Sequence, residues 1–231
     1  MANHLDLEEQ EQLDQLKHFW KQYGNAITWL LIVVLGGIAS WNGYGYWQRN
    51  QATQAAAMFD EVERVARAGD FQKTERAFSD MKERFASTTY AQQAGLLVGK
   101  TAHDVGKIDA AKAALTWVAD KSSDKGYASL ARLRLAGLLL QTKEYEAALT
   151  ALNGDISKEF AALAADRRGD IFAAQGNIAS AKKEYEQAFQ AFDEKADYRR
   201  LVEVKLNGMG VVPAEAKQGT LEKNEKMDGS K

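Results

Sequence analysis

The sequence predicts an all-α protein, with one N-terminal transmembrane helix followed by an α-solenoid of about four helical hairpins and a capping helix. Three observations carry this. Charged residues make up 27% of the chain, yet the 26 residues from Gln22 to Trp47 include no Asp, Glu, Lys or Arg. Short punctuating triplets recur at spacings of 37, 37 and 33 residues. The only proline is Pro213, and the composition favours Ala, Gln, Lys, Glu and Leu. A strand would need two-residue alternation. Val202 to Leu206 comes nearest, and it is too short to outweigh its helical neighbourhood.

The first element is the uncharged run, whose apolar heart is Ile27 to Ala39. As a helix, residues 26–47 would extend ~33 Å, enough for a hydrocarbon core of ~30 Å. Trp20 and Tyr23 flank one end, and Trp41, Tyr44, Tyr46 and Trp47 the other. Amphipathic rings at both ends suit the two membrane–water interfaces. A cleaved signal fits less well. Gly37-Ile38-Ala39 would serve as a cleavage site, but the preceding segment is long and carries Asp6, Glu8, Glu9, Glu11 and Asp14 against Lys17 and Lys21. A buried core helix fits poorly too, since soluble helices seldom run about seven turns without a charge. Lys17 and Lys21 against Arg49 on the near flanks favour a cytoplasmic N-terminus. A wider window adds Arg64 and Arg67 and reverses the balance.

Charge and cysteine usage exclude several classes. Net charge is −2, with −3 in residues 1–25, +1 in residues 48–212 and 0 in residues 213–231. No basic stripe marks a nucleic-acid footprint. Cysteine is absent, which removes disulfides, thiol catalysis and thiolate-held zinc. The three histidines are His4, His18 and His103, and no metalloprotease, nucleophile-elbow or phosphate-loop pattern occurs. Asp166 and Asp170 lie one helical turn apart, but Arg167 and Arg168 beside them read as a solvated, charge-balanced face. Arg132 and Arg134 also read as surface charges. The expectation is a non-enzymatic protein with no catalytic residue, cofactor or metal.

The hairpins come next in the chain. Gly69-Asp70-Phe71, Gly106-Lys107-Ile108, Lys143-Glu144-Tyr145 and Gly176-Asn177-Ile178 each end one helical run and open another. Three residues beyond the apolar member come Thr74, Ala111, Ala148 and Ala181. Four further on come Phe78, Leu115, Leu152 and Tyr185. Twelve before the small residue come Val62, Gly99, Ala136 and Gly169. Small residues on facing helices allow close approach, and the large residue a turn later fills the space toward the next hairpin. The three turn glycines supply left-handed geometry. The opening helix is expected to run out of the membrane near Gln48 into residues 55–68. Residues 193–207 read as the cap, and the stretch after Pro213 as a disordered polar tail.

These positions, over about residues 55–190, resemble the tetratricopeptide repeat. The likeness is specific at the small residues and turns and degenerate elsewhere. Gly95, Arg132 and Ala165 replace the early Trp, and the closing Pro is absent. The resulting partition is an acidic tail at 1–25, the transmembrane helix at 26–47, a tetratricopeptide-like domain at 48–212 and a polar tail at 213–231. In such repeats the first helix of each hairpin lines the groove. The resemblance therefore implies a protein-binding surface of Gln93, Leu96, Lys100 and His103, then Leu130, Leu133, Gly137 and Leu140, then Leu163, Asp166, Asp170 and Ala173. The middle set lies in a helix that is apolar nearly all round, from Leu130 to Leu140. Such a helix is covered either by its own chain or by a partner. Leu133→Glu and Leu140→Glu separate the two, by loss of fold or by loss of capture.

The tail from Leu5 to Lys21 keeps Leu5, Leu13, Leu16, Phe19 and Trp20 at rough helical spacing. It reads as an amphipathic docking helix or as an acidic solubilising extension, and its charge disfavours anionic lipid. Tail, aromatic-flanked span, divergent repeats and polar end together are similar to the YfgM family of ancillary SecYEG translocon subunits. That resemblance implies a single-pass protein of the bacterial inner membrane, its N-terminus cytoplasmic and its repeats in the periplasm. It implies as partners the lipid bilayer, the SecYEG translocon, a PpiD-like periplasmic chaperone, and secretory and outer-membrane clients, with no nucleic acid. The competing reading is a membrane-anchored adaptor serving another envelope complex or a cytoplasmic signalling or division complex.

Overall fold

A computed structural model describes the backbone of residues 7–211 and the side chains from residue 11 onward. The expected disordered tail from residue 213 lies outside the described residues. Among the described residues the chain is helical, with no strand. The helices are α1 (Leu7–Arg67), α2 (Phe71–Phe85), α3 (Thr89–Asp104), α4 (Ile108–Lys121), α5 (Lys125–Gln141), α6 (Tyr145–Leu152), α7 (Ala161–Ala174), α8 (Ile178–Ala191) and α9 (Asp197–Gly208). A short 3₁₀ turn, Lys158–Phe160, precedes α7. The chain divides into two compact units, one ending at Thr53 and one beginning at Gln54.

The N-terminal unit consists of the early part of α1. Its apolar stretch is open to its surroundings, with Trp29 and Val33 each 65% exposed. It holds the one helix among the described residues that is long and apolar enough to cross a membrane. A soluble core helix would bury these side chains. The Thr28 hydroxyl donates to the Gly24 carbonyl at 2.7 Å, so this polar group is satisfied within the helix.

The second unit carries the hairpins. The four triplets fall at helix junctions, and α2, α4, α6 and α8 begin at Phe71, Ile108, Tyr145 and Ile178. At each junction a backbone N–H reaches back five residues, from Asp70 to Val65, Lys107 to Ala102, Glu144 to Leu139 and Asn177 to Phe172. This closure needs a left-handed residue, supplied by Gly69, Gly106 and Gly176 at φ 74°, 74° and 77°, and by Lys143 at φ 61°. Asp70 and Asn177, next in line, then cap α2 and α8 by accepting from Lys73 N and Ser180 N. The triplet thus ends one helix and starts another.

Packing follows the predicted pairing of small and large residues. Thr74, Ala111, Ala148 and Ala181 are fully buried, and Phe78, Leu115, Leu152 and Tyr185 nearly so. A Cβ at Gly99 would stand 2.8 Å from Leu115 Cγ, and one at Gly169 2.5 Å from the Tyr185 ring. The buried residues form three clusters in sequence order, centred on Phe78 and Met81, on Leu115 to Leu152, and on Tyr185 to Leu206. Each hairpin therefore takes its core from its neighbours, as a solenoid must.

Two expectations need correction. The cap begins at Asp197 rather than Asp193, because the Asp193 carboxylate accepts from Lys195 N at 2.8 Å and Ala196 stays extended. Arg132 is not a surface charge. Helix α6 is short, and the segment after it folds back over α5. Arg132 donates to the Asp155 carbonyl at 2.9 Å and the Ala119 carbonyl at 3.1 Å, while Ser129 Oγ accepts from Ser157 N at 2.9 Å. Gly154 makes room, since a Cβ there would meet Arg132 Nε at 2.5 Å.

Candidate functional site

Residues of α3, α4, α5, α7 and α9 line an open cavity of about 680 Å³. Leu115, Leu130, Leu133, Leu138 and Leu163 give it an apolar floor around Gly99 and Gly137. Its rim is polar and mostly basic, with Lys100, His103, Arg134, Gln141, Arg167 and Tyr198. Pockets that bind ligands commonly combine such an apolar body with a few placed polar groups.

The structure brings together six of the residues expected in the groove: Lys100, His103, Leu130, Leu133, Gly137 and Leu163. The other six are used elsewhere. Gln93 donates its amide to the Tyr127 hydroxyl at 2.7 Å. Leu96 is a core residue, and Leu140 packs against the same core cluster. Ala173 packs on the C-terminal cluster. Asp166 and Asp170 lie under the cap. Leu133, although it borders the cavity, is 9% exposed and belongs to the core. Leu133→Glu is therefore expected to cost fold rather than binding alone, and Leu130 and Leu163, half-buried at the cavity, are the better probes.

The residues that sequence reasoning missed share a cause. The lining face of α5 runs through Leu130, Arg134, Gly137 and Gln141, and that of α7 through Leu163 and Arg167. Leu133 and Leu138 border it as well, so this is the expected stripe turned by about half a residue step, ~50°. The i, i+4, i+7 rule carried on to i+11 from Leu130 would have found Arg134 and Gln141. Tyr198 had no such signal, because it arrives from the cap.

The rim groups are unequally satisfied. Lys100 pairs with Asp104 at 2.6 Å, and His103 Nε2 lies 2.9 Å from the Gln141 amide oxygen. Arg134 reaches only the Leu96 carbonyl, at 3.5 Å, and no carboxylate among the described residues pairs with it. Arg167 Nη1 stands 3.6 Å from Asp170, and its buried Nε has no hydrogen-bond partner. The Arg167 guanidinium carbon lies 3.7 Å from where a Gly137 Cβ would project. That is ordinary contact, so Gly137→Ala fits. It is expected to raise stability by about 0.5–1 kcal/mol through helix propensity, measured as a higher Tm.

Beneath the cavity lies a polar cluster that corrects the reading of Asp166 and Asp170 as solvated. Asp166 is 1% exposed. Lys205 of α9 donates to Asp166 at 2.7 Å and to Asp170 at 2.6 Å. Tyr198 donates to Asp166 at 2.9 Å, and Tyr185 to Asp170 at 2.8 Å. The cap turned an outward-reading pair into an interior one. The pattern did hold a clue, since both aspartates flank Gly169, the residue that faces α8.

Burial first, then the Asp166 charge, pushes the Tyr198 phenol up to about 12. Burial and the hydrogen bond to Asp170 raise Tyr185 further above the ordinary phenol range. Raised acids bind protons more tightly in the folded state. Their stabilisation is complete below the unfolded value of about 10 and is lost above it. Unfolding free energy is expected to fall from about pH 10 upward, through about 12 for Tyr198. Thermal melts with phenolate absorbance check this, and Tyr198→Phe should flatten the decline.

The fold and site define a class, the membrane-anchored proteins of stacked helical hairpins. Residues 17–211 match the family model described as a tetratricopeptide repeat-like domain. A protein of Neisseria gonorrhoeae, named ancillary SecYEG translocon subunit, is 32% identical over 213 residues, covering 90% of this chain and all of that protein. Proteins of the same name from Haemophilus influenzae and Escherichia coli are 31% and 24% identical, each over 88% of this chain and 98% and 97% of their own length. The crystal structure of MamA aligns over 73% of this chain and 96% of its own, with a TM-score of 0.42 and 20% identity. The chain belongs to the family of ancillary SecYEG translocon subunits.

Proposed function

We propose that this protein is a non-enzymatic ancillary subunit of the Sec translocon. Its α1 segment at residues 26–47 anchors it in the inner membrane, with residues 1–25 in the cytoplasm and residues 48–212 in the periplasm. The hairpin unit is thereby held beside the channel exit, where its cavity receives a PpiD-like chaperone or emerging secretory and outer-membrane clients. The observation that carries this reading is the match along essentially the whole length of relatives bearing the translocon-subunit name, together with a family model that matches residues 17–211 and so takes in the span. Confinement to a membrane layer raises the local concentration of the module near other anchored proteins, so moderate contacts suffice.

Two measurements test it. Alkaline phosphatase fused after Lys231 should be active and an ordinary fluorescent protein there dark, whereas the reverse outcome favours the cytoplasmic adaptor. A photocrosslinker at Leu130 or Leu163 should capture translocon or chaperone components in cells. Failure to capture either would overturn the assignment.

A further inference from the structure

We propose that the cavity accepts an extended peptide segment in which side-chain carboxylates alternate with bulky apolar side chains, the carboxylate bridging Arg134 and Arg167. This rests on the reading of the cavity as a protein-binding groove and names what it selects. The first observation is the division of chemistry. The leucine floor offers burial to apolar side chains, and Gly137 leaves it open where any other residue would project. The second is the charge imbalance above that floor. Arg134 has no carboxylate partner among the described residues and makes one 3.5 Å contact to a carbonyl. Arg167 has one carboxylate contact, to Asp170 Oδ2 at 3.6 Å, longer than a hydrogen bond, while Lys205 and Tyr185 hold the other oxygen, Oδ1, at 2.6 and 2.8 Å.

The third observation is the orphaned nitrogen. Arg167 Nε is buried without a partner. That nitrogen is sealed from the groove, so a carboxylate would reach Arg167 through the open part of its guanidinium, the side chain being 36% exposed. A guanidinium donates two parallel hydrogen bonds to a carboxylate, so an arginine at this position selects for acidic groups in a way a lysine does not. The two arginines come from successive first helices, α5 and α7, and a ligand bridging them lies across the hairpins rather than along one helix. The nearest acid, Asp170, has its charge offset by Lys205 at 2.6 Å, and the others are engaged too. Asp104 is engaged by Lys100 at the far rim, and Asp166 is covered by Lys205 and Tyr198.

The test uses the full chain in zwitterionic nanodiscs, with empty nanodiscs as control. The probes are dye-labelled peptides with blocked termini that alternate Leu or Phe with Glu, and matched versions with Gln or Lys in place of Glu. The Glu peptide should bind at least about tenfold more tightly than the Gln peptide, the worth of a charge-assisted pair. The advantage should shrink as salt rises. Arg134→Gln should remove it while circular dichroism and Tm stay unchanged. Gly137→Leu, which fills the floor, should weaken both peptides. Equal binding of Glu and Gln peptides, or preference for Lys, would overturn the carboxylate proposal while leaving the groove reading intact. Binding of all peptides that is indifferent to Gly137→Leu would overturn both.

Discussion

Lys205→Ala is expected to lower the unfolding free energy of the hairpin unit by roughly 3–5 kcal/mol, the cost of stranding a buried charge. Asp166 is 1% exposed, and Lys205 is its only cationic partner among the described residues. Lys205 itself is 23% exposed in its side chain, which places the effect toward the lower part of that range. A domain of this size loses about 2–4 °C per kcal/mol, so Tm should drop by roughly 6–20 °C. The double variant Asp166→Asn with Lys205→Met should recover more than half of the loss, because it removes charge and partner together. A single-variant loss under about 1 kcal/mol would show that water already reaches Asp166. The effect also reaches the cavity. Tyr198 lines it and is held by Asp166, so releasing the cluster should weaken peptide binding alongside stability.

Gly95→Ala should destabilise the same unit by about 1–3 kcal/mol, against helix propensity, which favours Ala by about 1 kcal/mol. A Cβ at Gly95 would stand 2.3 Å from Val118 Cγ2 and 3.1 Å from Phe78 Cζ. Val118 is fully buried, so its methyl has nowhere to retreat. Val118→Ala alone should cost roughly 1–3 kcal/mol through lost packing, and the pair should cost clearly less than the sum, because each change makes room for the other. Thermal melts of the four proteins give the coupling. Strict additivity would show that α3 and α4 relax apart instead. The same substitution at Gly137 is expected to stabilise. Only the neighbour met by the new methyl group separates the two sites.

That pair shows how far the sequence reaches. Gly95 and Gly137 are both glycines on the first helix of a hairpin, at different repeat positions, but nothing local tells how close a neighbour stands to each. The recurrence of Gly69, Gly106 and Gly176, by contrast, was legible because a left-handed turn is a property of a few consecutive residues. So were Gly99 and Gly169, whose partners Leu115 and Tyr185 recur at a fixed distance. Half of the candidate site was readable in the same way, through the exposed and apolar residues of α3, α5 and α7. The other half was not. The groove stripe is turned by about half a residue step, ~50°, because α5 also buries Leu133, Leu135, Leu138 and Leu139 in its own core, and an all-round apolar helix has no periodicity from which to read its orientation.

The sequence by itself determined the uncharged span, the helical class, the hairpin period and the turn at each junction. These depend on contacts within a few residues or on exact repetition, and both are visible in a linear string. Only the tertiary structure decided which charges face inward. Asp166 meets Tyr198 and Lys205 across 32 and 39 residues, and Arg132 meets the carbonyl of Asp155 across 23. The local pattern around Asp166 pointed to the surface because its neighbours are arginines. The cap reversed that reading by bringing a cation and a phenol over it. A buried charge is set by the group that arrives from elsewhere in the chain, and its distance in sequence leaves no local trace.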